Sequence, residues 1–166
     1  MSTYRPRRSV LYMPAANQRA LEKAKDIPAD ALIFDLEDAV APDAKELARE
    51  QACNAAASSD YGNRELTIRC NGLDTPWGRE DILAAAEAAP SAVVIPKVDG
   101  PEYLAEVSEV LDEGGAPAAT EIWAMVETPA GILCVDQIAQ FERTAVLVMG
   151  TNDMAKELRA SITQDR

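Results

Sequence analysis

Five short apolar segments, each ending in an ionisable residue, constrain this chain more than any other feature of its sequence. Each segment has the length of a β-strand, is too short for a helix and favours β-branched residues. A continuous apolar run is typical of a strand that is buried on both faces, as in a parallel sheet. The segments with their polar ends are 31–38, 66–69, 92–97, 122–127 and 146–153.

Helical patterns alternate with these strands, and a first strand precedes them, so the chain contains about six βα units and predicts a parallel sheet. Two architectures contain such units: a doubly wound open sheet and a (β/α)8 TIM barrel. The dinucleotide-binding form of the open sheet has a Gly-x-Gly-x-x-Gly turn after its first strand, where this chain has Pro14-Ala-Ala-Asn17. Ionisable residues at many strand ends favour the barrel, because its site is assembled from the carboxyl ends of many strands.

The boundaries of the elements follow from apolar runs, proline positions and caps. The sequence predicts strands at 8–14, 31–34, 66–70, 92–95, 121–126 and 145–149. It predicts helices at 18–25, 42–58, 77–88, 101–113 and 130–141, and a final helix capped by Thr151 and Asn152.

Length and composition indicate one soluble domain over residues 1–166. The net charge of −12 repels nucleic acid and anionic membranes, and no apolar run approaches the roughly 20 residues of a membrane span.

The three cysteines share no close spacing, which predicts free thiols and a cytoplasmic location. Histidine is absent from the sequence, so His-dependent triads and His-ligated zinc are excluded within this chain.

Two acids, Glu127 and Asp153, follow adjacent predicted strands. Their side chains should project into the same opening at the carboxyl ends of the strands, the mouth of the predicted barrel. Neighbouring carboxylates repel unless a cation lies between them or one holds a proton. Oxygen ligands of this kind predict a hard cation, and Mg²⁺ suits a site of few carboxylates completed by substrate and water. The alternative is that each acid only stabilises the start of a helix.

Two basic residues end neighbouring strands. Arg69 has two interpretations: a bidentate clamp for a substrate oxygen, or an ion pair with the acids that follow the second strand. Lys97 either pairs with nearby acids or forms a Schiff base with substrate. Nearby acids would raise the pKa of this lysine, which favours the ion pair.

Two helix starts and one basic cluster are further candidates for ligand contact. The segments 128–131 and 150–152 would offer backbone N–H groups to anionic groups of a ligand. Arg5, Arg7 and Arg8 form a dense basic cluster, which is either a phosphate contact or a set of solvated side chains.

Six ordered motifs together resemble one known family, over nearly the whole chain. The motifs are Arg8-Ser-Val-Leu-Tyr-Met-Pro-Ala15, Asp35-Leu-Glu-Asp-Ala-Val40, Ile68-Arg-Cys-Asn71, Ile95-Pro-Lys-Val98, Val126-Glu-Thr-Pro-Ala-Gly131 and Gly150-Thr-Asn-Asp153. The sequence resembles the citrate lyase β-subunit-like family of the HpcH/HpaI aldolase superfamily, which includes malyl-CoA and citramalyl-CoA lyases.

This resemblance implies a magnesium-dependent enzyme on a (β/α)8 barrel. It would cleave or form a carbon–carbon bond next to a CoA thioester or a 2-oxo acid. The metal would act as a Lewis acid, and an arginine would stabilise the negative charge of an enolate. The resemblance also implies a homotrimer or homohexamer for the full-length protein.

Roles for individual residues follow by matching the family's motifs to this chain. The expected metal ligands are Glu127 and Asp153, and the expected catalytic residues are Arg69, Glu37 and Asp38. The expected substrate-binding residues are Arg8, Asp35, Arg69, Lys97, Thr128, Pro129, Gly150, Thr151 and Asn152.

One departure from the family concerns length. Family members continue past the Gly-Thr-Asn-Asp motif and supply further strands, so we expect this chain to be part of a longer barrel protein. Two other functions stay open: a 2-oxo-acid aldolase that acts on free acids, and a non-catalytic ligand-binding subunit.

Overall fold

The computed structural model describes residues 5–161, in which six parallel strands form one sheet. Each strand from β2 to β6 pairs with the strand before it in the sequence, so the order across the sheet is β1 to β6. The strands are β1 Val10–Pro14, β2 Ala31–Asp35, β3 Glu65–Arg69, β4 Ala92–Ile95, β5 Glu121–Val126 and β6 Thr144–Met149. This unreversed order is that of a barrel wall, whereas a doubly wound sheet reverses direction at a switch point.

Helices connect the strands. They are α1 Gln18–Ala24, α2 Lys45–Ala57, α3 Gly78–Ala88, α4 Pro101–Glu113, α5 Pro129–Leu133, α6 Val135–Gln140 and α7 Thr151–Glu157. Short 3₁₀ turns at Pro42–Ala44 and Ser59–Tyr61 complete the connections. Within the described residues no helix is both long and apolar enough to cross a membrane.

The four central strands of the sheet, β2 to β5, are almost entirely buried on both faces, whereas β1 and β6 at its edges are partly exposed. One face packs against the helices through residues such as Leu32, Phe34 and Ile68, none of which is exposed. On the other face lies a smaller cluster built around Trp123, comprising Ala31, Ile33, Ala92, Val94, Trp123 and Met125 with Val146 and Val148 packed against it. The continuous apolar runs of the sequence follow from this double burial.

Strand register brings the polar ends of the strands to one edge of the sheet. Asp35 on β2 lies between Pro14 of β1 and Arg69 of β3. Arg69 in turn pairs with Val94 of β4. Because all six strands are parallel, the residues that follow their carboxyl ends meet at this edge.

The predicted α/β fold with alternating strands and helices is confirmed, and most element boundaries agree with the prediction to within two residues. One predicted helix is wrong: the segment 130–141 forms two short helices, because Cys134 has φ −107° and ψ 8°, which is not helical. The segment 42–58 also starts as a 3₁₀ turn before α2 begins.

Candidate active site

A buried arginine clamp joins β2 and β3. Arg69 Nε and Nη2 donate to the two carboxylate oxygens of Asp35, each at 2.6 Å. Arg69 Nη1 lies 2.7 Å from Glu37 Oε2 and 3.8 Å from an oxygen of Asp38. Burial lowers the pKa of Arg69, but the hydrogen bonds and charge of Asp35 outweigh it, so the net pKa is raised. The ion-pair interpretation of Arg69 therefore describes its contacts in this structure.

The turn after β2 is organised by Asp35 as well. Its Oδ1 accepts the backbone N–H of Glu37 at 2.9 Å, and its Oδ2 accepts that of Ala39 at 3.2 Å. We call residues 35–38 the acid loop. Within it Asp38 is exposed, with 67 % of its side chain accessible to solvent.

Glu37 has the most perturbed carboxyl group of the loop. Burial raises its pKa to about 7, although the charge of Arg69 acts in the opposite direction. Its Oε2 is buried and, among the residues described, accepts no well-aligned hydrogen bond despite the nearby guanidinium. Near neutral pH this carboxyl group can therefore either hold a proton or release it.

Glu127 is held from two sides just after β5. Its Oε1 accepts the backbone N–H of Lys97 at 2.9 Å. On the other side, a Cβ atom at Gly150 would lie 2.2 Å from Glu127 Oε2 and 2.5 Å from its Cβ, so only glycine leaves room for the glutamate. Burial raises the pKa of Glu127, and the charge of Asp153 raises it further.

The expected metal ligands lie close enough for their charges to interact. Asp153 stands in the first turn of α7, and neither it nor Glu127 forms an ion pair with Lys or Arg in the part of the chain described. No cluster of three or more His, Cys, Asp or Glu within these residues is arranged as a metal site. The charges of Arg69 and Lys97 act on Glu127 only from a distance, and two carboxylates without an ion pair fit a hard cation that takes its remaining ligands from substrate and water.

Lys97 acts on this site through its backbone. Its φ of 50° is in the left-handed region, which is strained for a residue with a side chain, and this conformation accompanies the N–H···Glu127 hydrogen bond. Its side chain is exposed. A Schiff-base lysine is usually desolvated, so the structure gives that interpretation no support.

The other expected substrate-binding residues lie at the starts of α5 and α7. Thr128 caps α5: its hydroxyl oxygen accepts the N–H of Gly131 and its hydroxyl group contacts Asp99. Pro129 is the first residue of α5, and Thr151 and Asn152 begin α7 with exposed side chains.

Arg8 lies at the other end of the sheet, which is at odds with the expectation that it contacts substrate. It precedes β1 and pairs with Asp30, the residue before β2, at 2.7 Å. Its side chain is 85 % exposed. Since a residue before a parallel strand lies at the amino end, strand direction alone would have placed Arg8 away from the mouth.

A cavity of about 900 Å³ also lies at the amino ends of the strands. Its lining includes Arg7, Thr120 and Arg143. It therefore lies away from the acid loop and Glu127, and the volume of a cavity does not identify the site in this chain.

Sequence reasoning missed two groups next to the acid loop. Tyr12 of β1 lies beneath the guanidinium of Arg69, whose Cζ is 5.2 Å from the ring centroid. Lys45, only 5 % exposed, donates to the backbone oxygens of Leu36 and Glu37, each at 2.7 Å. The sequence around Lys45 gives no sign that this lysine is buried. Tyr12, by contrast, lies two residues before the end of β1, and this position indicates that it is near the carboxyl ends of the strands.

Comparison with known proteins agrees with this geometry. Residues 8–166 match the HpcH/HpaI aldolase/citrate lyase family. The chain belongs to this family. The predicted resemblance is thereby confirmed.

Individual relatives are similar over most of this chain. A (3S)-malyl-CoA thioesterase of Cereibacter sphaeroides is 47 % identical over 161 residues, which are 97 % of this chain and 54 % of that protein. The citrate lyase subunit beta of Escherichia coli K12 is 34 % identical over 93 % of this chain and 53 % of its own length. The chain thus spans about half the length of these curated relatives.

Solved structures support the fold. The protein CitE of Mycobacterium tuberculosis, solved in complex with magnesium, acetoacetate and coenzyme A, superposes with a TM-score of 0.74 at 27 % identity. The superposition covers 93 % of this chain and 52 % of that protein. The sequential sheet is therefore that of the barrel-like citrate lyase β subunits.

Proposed function

We propose that the protein is a magnesium-dependent carbon–carbon lyase that cleaves or forms a 3-hydroxyacyl-CoA thioester such as malyl-CoA, citramalyl-CoA or citryl-CoA. The observation that carries the proposal is the pair of carboxylates, Glu127 and Asp153, whose charges interact and neither of which forms an ion pair with Lys or Arg within the described residues, in a chain of this family. The magnesium complexes of similar proteins lend support.

In this proposal Glu127 and Asp153 hold the metal. When bound, Mg²⁺ supplies Lewis-acid polarisation of the substrate's oxygen atoms. The chain fixes Glu127 through the Lys97 N–H and through the close approach of Gly150, so that this ligand needs little reorganisation on binding.

The acid loop supplies the remaining charge and a proton. Arg69 of β3 is the cation that lies against this loop, and its guanidinium stabilises negative charge that develops on an enolate oxygen during cleavage. Asp35 orients that guanidinium by two hydrogen bonds. Glu37 carries the exchangeable proton, because burial raises its pKa to about 7. Asp38 is exposed at the mouth and adds negative charge there.

A second candidate function is hydrolysis of the thioester. It is favoured by one observation, the 47 % identity to proteins described as (3S)-malyl-CoA thioesterases. The two reactions leave different products: cleavage of malyl-CoA gives glyoxylate and an acyl thioester, whereas hydrolysis gives malate and the free thiol of CoA.

The deciding experiment is to incubate the protein with malyl-CoA and Mg²⁺ and to measure both products. Glyoxylate without thiol release supports the lyase, and thiol release without glyoxylate replaces it with the thioesterase. Free 2-oxo and 2-hydroxy acids in the same assay test the aldolase alternative, and Mg²⁺-dependent binding without any turnover would favour a binding subunit.

The metal assignment has its own test. Glu127→Ala should abolish magnesium-dependent turnover, because it removes one of the two carboxylates. Wild-type activity in that variant would overturn the assignment.

We further propose that residues 1–166 belong to a single barrel domain of a cytoplasmic homotrimer or homohexamer. Light scattering of the native protein tests the oligomer, and a monomer at micromolar concentration would contradict it.

A further inference from the structure

A buried lysine lies behind the acid loop. Lys45 is the first residue of α2 and is 5 % exposed, which is rare for lysine unless its charge is fully paired. Burial lowers the pKa of its ammonium group, while the charges of Asp81 and Glu37 act in the opposite direction.

All three donors of the ammonium group have acceptors. Two are the backbone oxygens of Leu36 and Glu37, each at 2.7 Å. The third is Oδ1 of Asn71, just after β3, at 2.8 Å. Lys45 Nζ also lies 5.3 Å from the ring centroid of Trp77.

Asn71 connects this lysine to a second buried charge. Its Nδ2 donates to the oxygen of Leu36 at 3.0 Å and to Asp81 Oδ2 at 2.6 Å. The other oxygen of Asp81 accepts from Arg49 Nε at 2.7 Å. We call these four residues, Lys45, Arg49, Asn71 and Asp81, the Lys45 network.

The network acts on the segment that carries the site's acids. Leu36 and Glu37 lie between Asp35, which binds Arg69, and the exposed Asp38. Their carbonyl oxygens accept from Lys45, while the side chain of Glu37 contacts Arg69. Other hydrogen bonds also hold this backbone, from Leu36 N–H to Arg69 O at 2.9 Å and from Val40 N–H to Glu37 O at 3.1 Å. Lys45 adds the only charged donor that the described residues give to the two carbonyl oxygens.

We propose that Lys45 is a positioning residue of the active site, whose ammonium group holds the acid loop in the geometry that sets Glu37 against Arg69. The proposal rests on the proposed lyase function for its kinetic consequence, but its structural consequence is independent of turnover. Lys45 does not touch substrate in this proposal, and it leaves the Glu127–Asp153 pair unaffected because other elements hold that pair.

The first test replaces Lys45 with an apolar side chain of similar length. Lys45→Met should lower kcat by about 10- to 100-fold, the effect of a displacement near 1 Å at a reacting centre. KM and the affinity for Mg²⁺ should stay within about twofold, because the metal ligands are held elsewhere. Lys23→Met, at an exposed lysine of α1, is the matched control and should keep wild-type kcat.

The second test asks whether the ammonium group itself is needed. In Lys45→Ala, added ethylammonium should restore kcat severalfold and saturably, whereas tetramethylammonium, which has the charge but no N–H donor, should not. A variant that is damaged only in its packing would respond to neither ion. Wild-type kcat in Lys45→Met, rescue by both ions alike, or rescue by neither ion would overturn the proposal.

The third test needs no turnover. Hydrogen exchange of the amides of Glu37 and Ala39, which donate to Asp35, should be about tenfold faster or more in Lys45→Met than in the wild type. Unchanged exchange there would refute the anchor even in an inactive protein, while absence of any lyase turnover in the wild type would refute only the proposed function. If Lys45→Met does not fold, Lys45→Arg, which keeps the charge with a different shape, is compared in the same exchange experiment, and wild-type protection with lowered kcat would overturn the proposal.

Discussion

Gly150→Ala tests whether the position of Glu127 controls metal binding. The added Cβ would lie 2.2 Å from Glu127 Oε2 and 2.5 Å from its Cβ, whereas ordinary contacts are 3.4–4 Å. One of the two residues therefore has to move by about 1 Å, and neither is free to do so without cost. The Lys97 N–H holds Glu127, and the Gly150 N–H donates to Val126 at 3.2 Å.

Two magnitudes follow from this clash. Overpacking of this kind costs about 1–3 kcal/mol of unfolding free energy, or about 2–4 °C in Tm for each kcal/mol in a chain of this size. Mg²⁺ requires oxygen ligands near 2.0–2.1 Å in octahedral geometry, so a displacement of about 1 Å should weaken its binding at least tenfold.

The assay is calorimetric titration of Mg²⁺ together with thermal unfolding in EDTA. Gly100→Ala is the matched control, because its new Cβ meets only the flexible end of Glu102, at 2.9 Å. It should keep the affinity for Mg²⁺ and lose less than about 1 kcal/mol of stability. Wild-type affinity in Gly150→Ala would refute the reasoning that a fixed Glu127 carboxylate determines metal binding.

Three further predictions concern the charged groups of the site. Over the window from pH 4.5 to about 7 the folded protein holds a proton on Glu37 that the unfolded chain has released, so stability should fall by up to about 3 kcal/mol as pH rises. Glu37→Gln should remove this slope in urea unfolding, and an unchanged slope would contradict the assignment. Arg69→Met should cost about 3–5 kcal/mol, because it leaves buried acids unpaired, and a loss below 1 kcal/mol in the same measurement would contradict the clamp. Asp153→Asn should weaken Mg²⁺ binding at least tenfold in titration, whereas Asp136→Asn, which also lies in the first turn of a helix, α6, should not; equal effects would mean that Asp153 serves only its helix.

The sheet could be predicted well because its signal is local. The bounds of β4, β5 and α4 agree with the sequence prediction, since Pro101 begins the helix and long apolar runs mark the strands. The break at Cys134 could not be predicted, because no glycine or proline lies at that point to mark it.

The candidate site was predictable in its location more than in its contacts. Parallel strands bring Arg69 and Glu127 to one edge, and a pattern of strand ends is sufficient to see this. The contact between Lys45 and Asn71 joins residues 26 positions apart in different units, and only tertiary packing creates it. For Arg8 the motif suggested a contact with substrate, whereas the direction of β1 places this residue at the amino end of the sheet, where it pairs with Asp30.

The sequential pairing of the strands also has a consequence for the time at which the site is made. Each strand adds to a neighbour that the ribosome has already produced, so the Asp35–Arg69 clamp becomes possible once β3 has emerged. The Lys97–Glu127 contact has to wait for β5, a few seconds later at synthesis rates of roughly 5–20 residues per second. A nascent chain therefore acquires the guanidinium half of its site first, and afterwards the carboxylate half, which holds the cation in the proposed function.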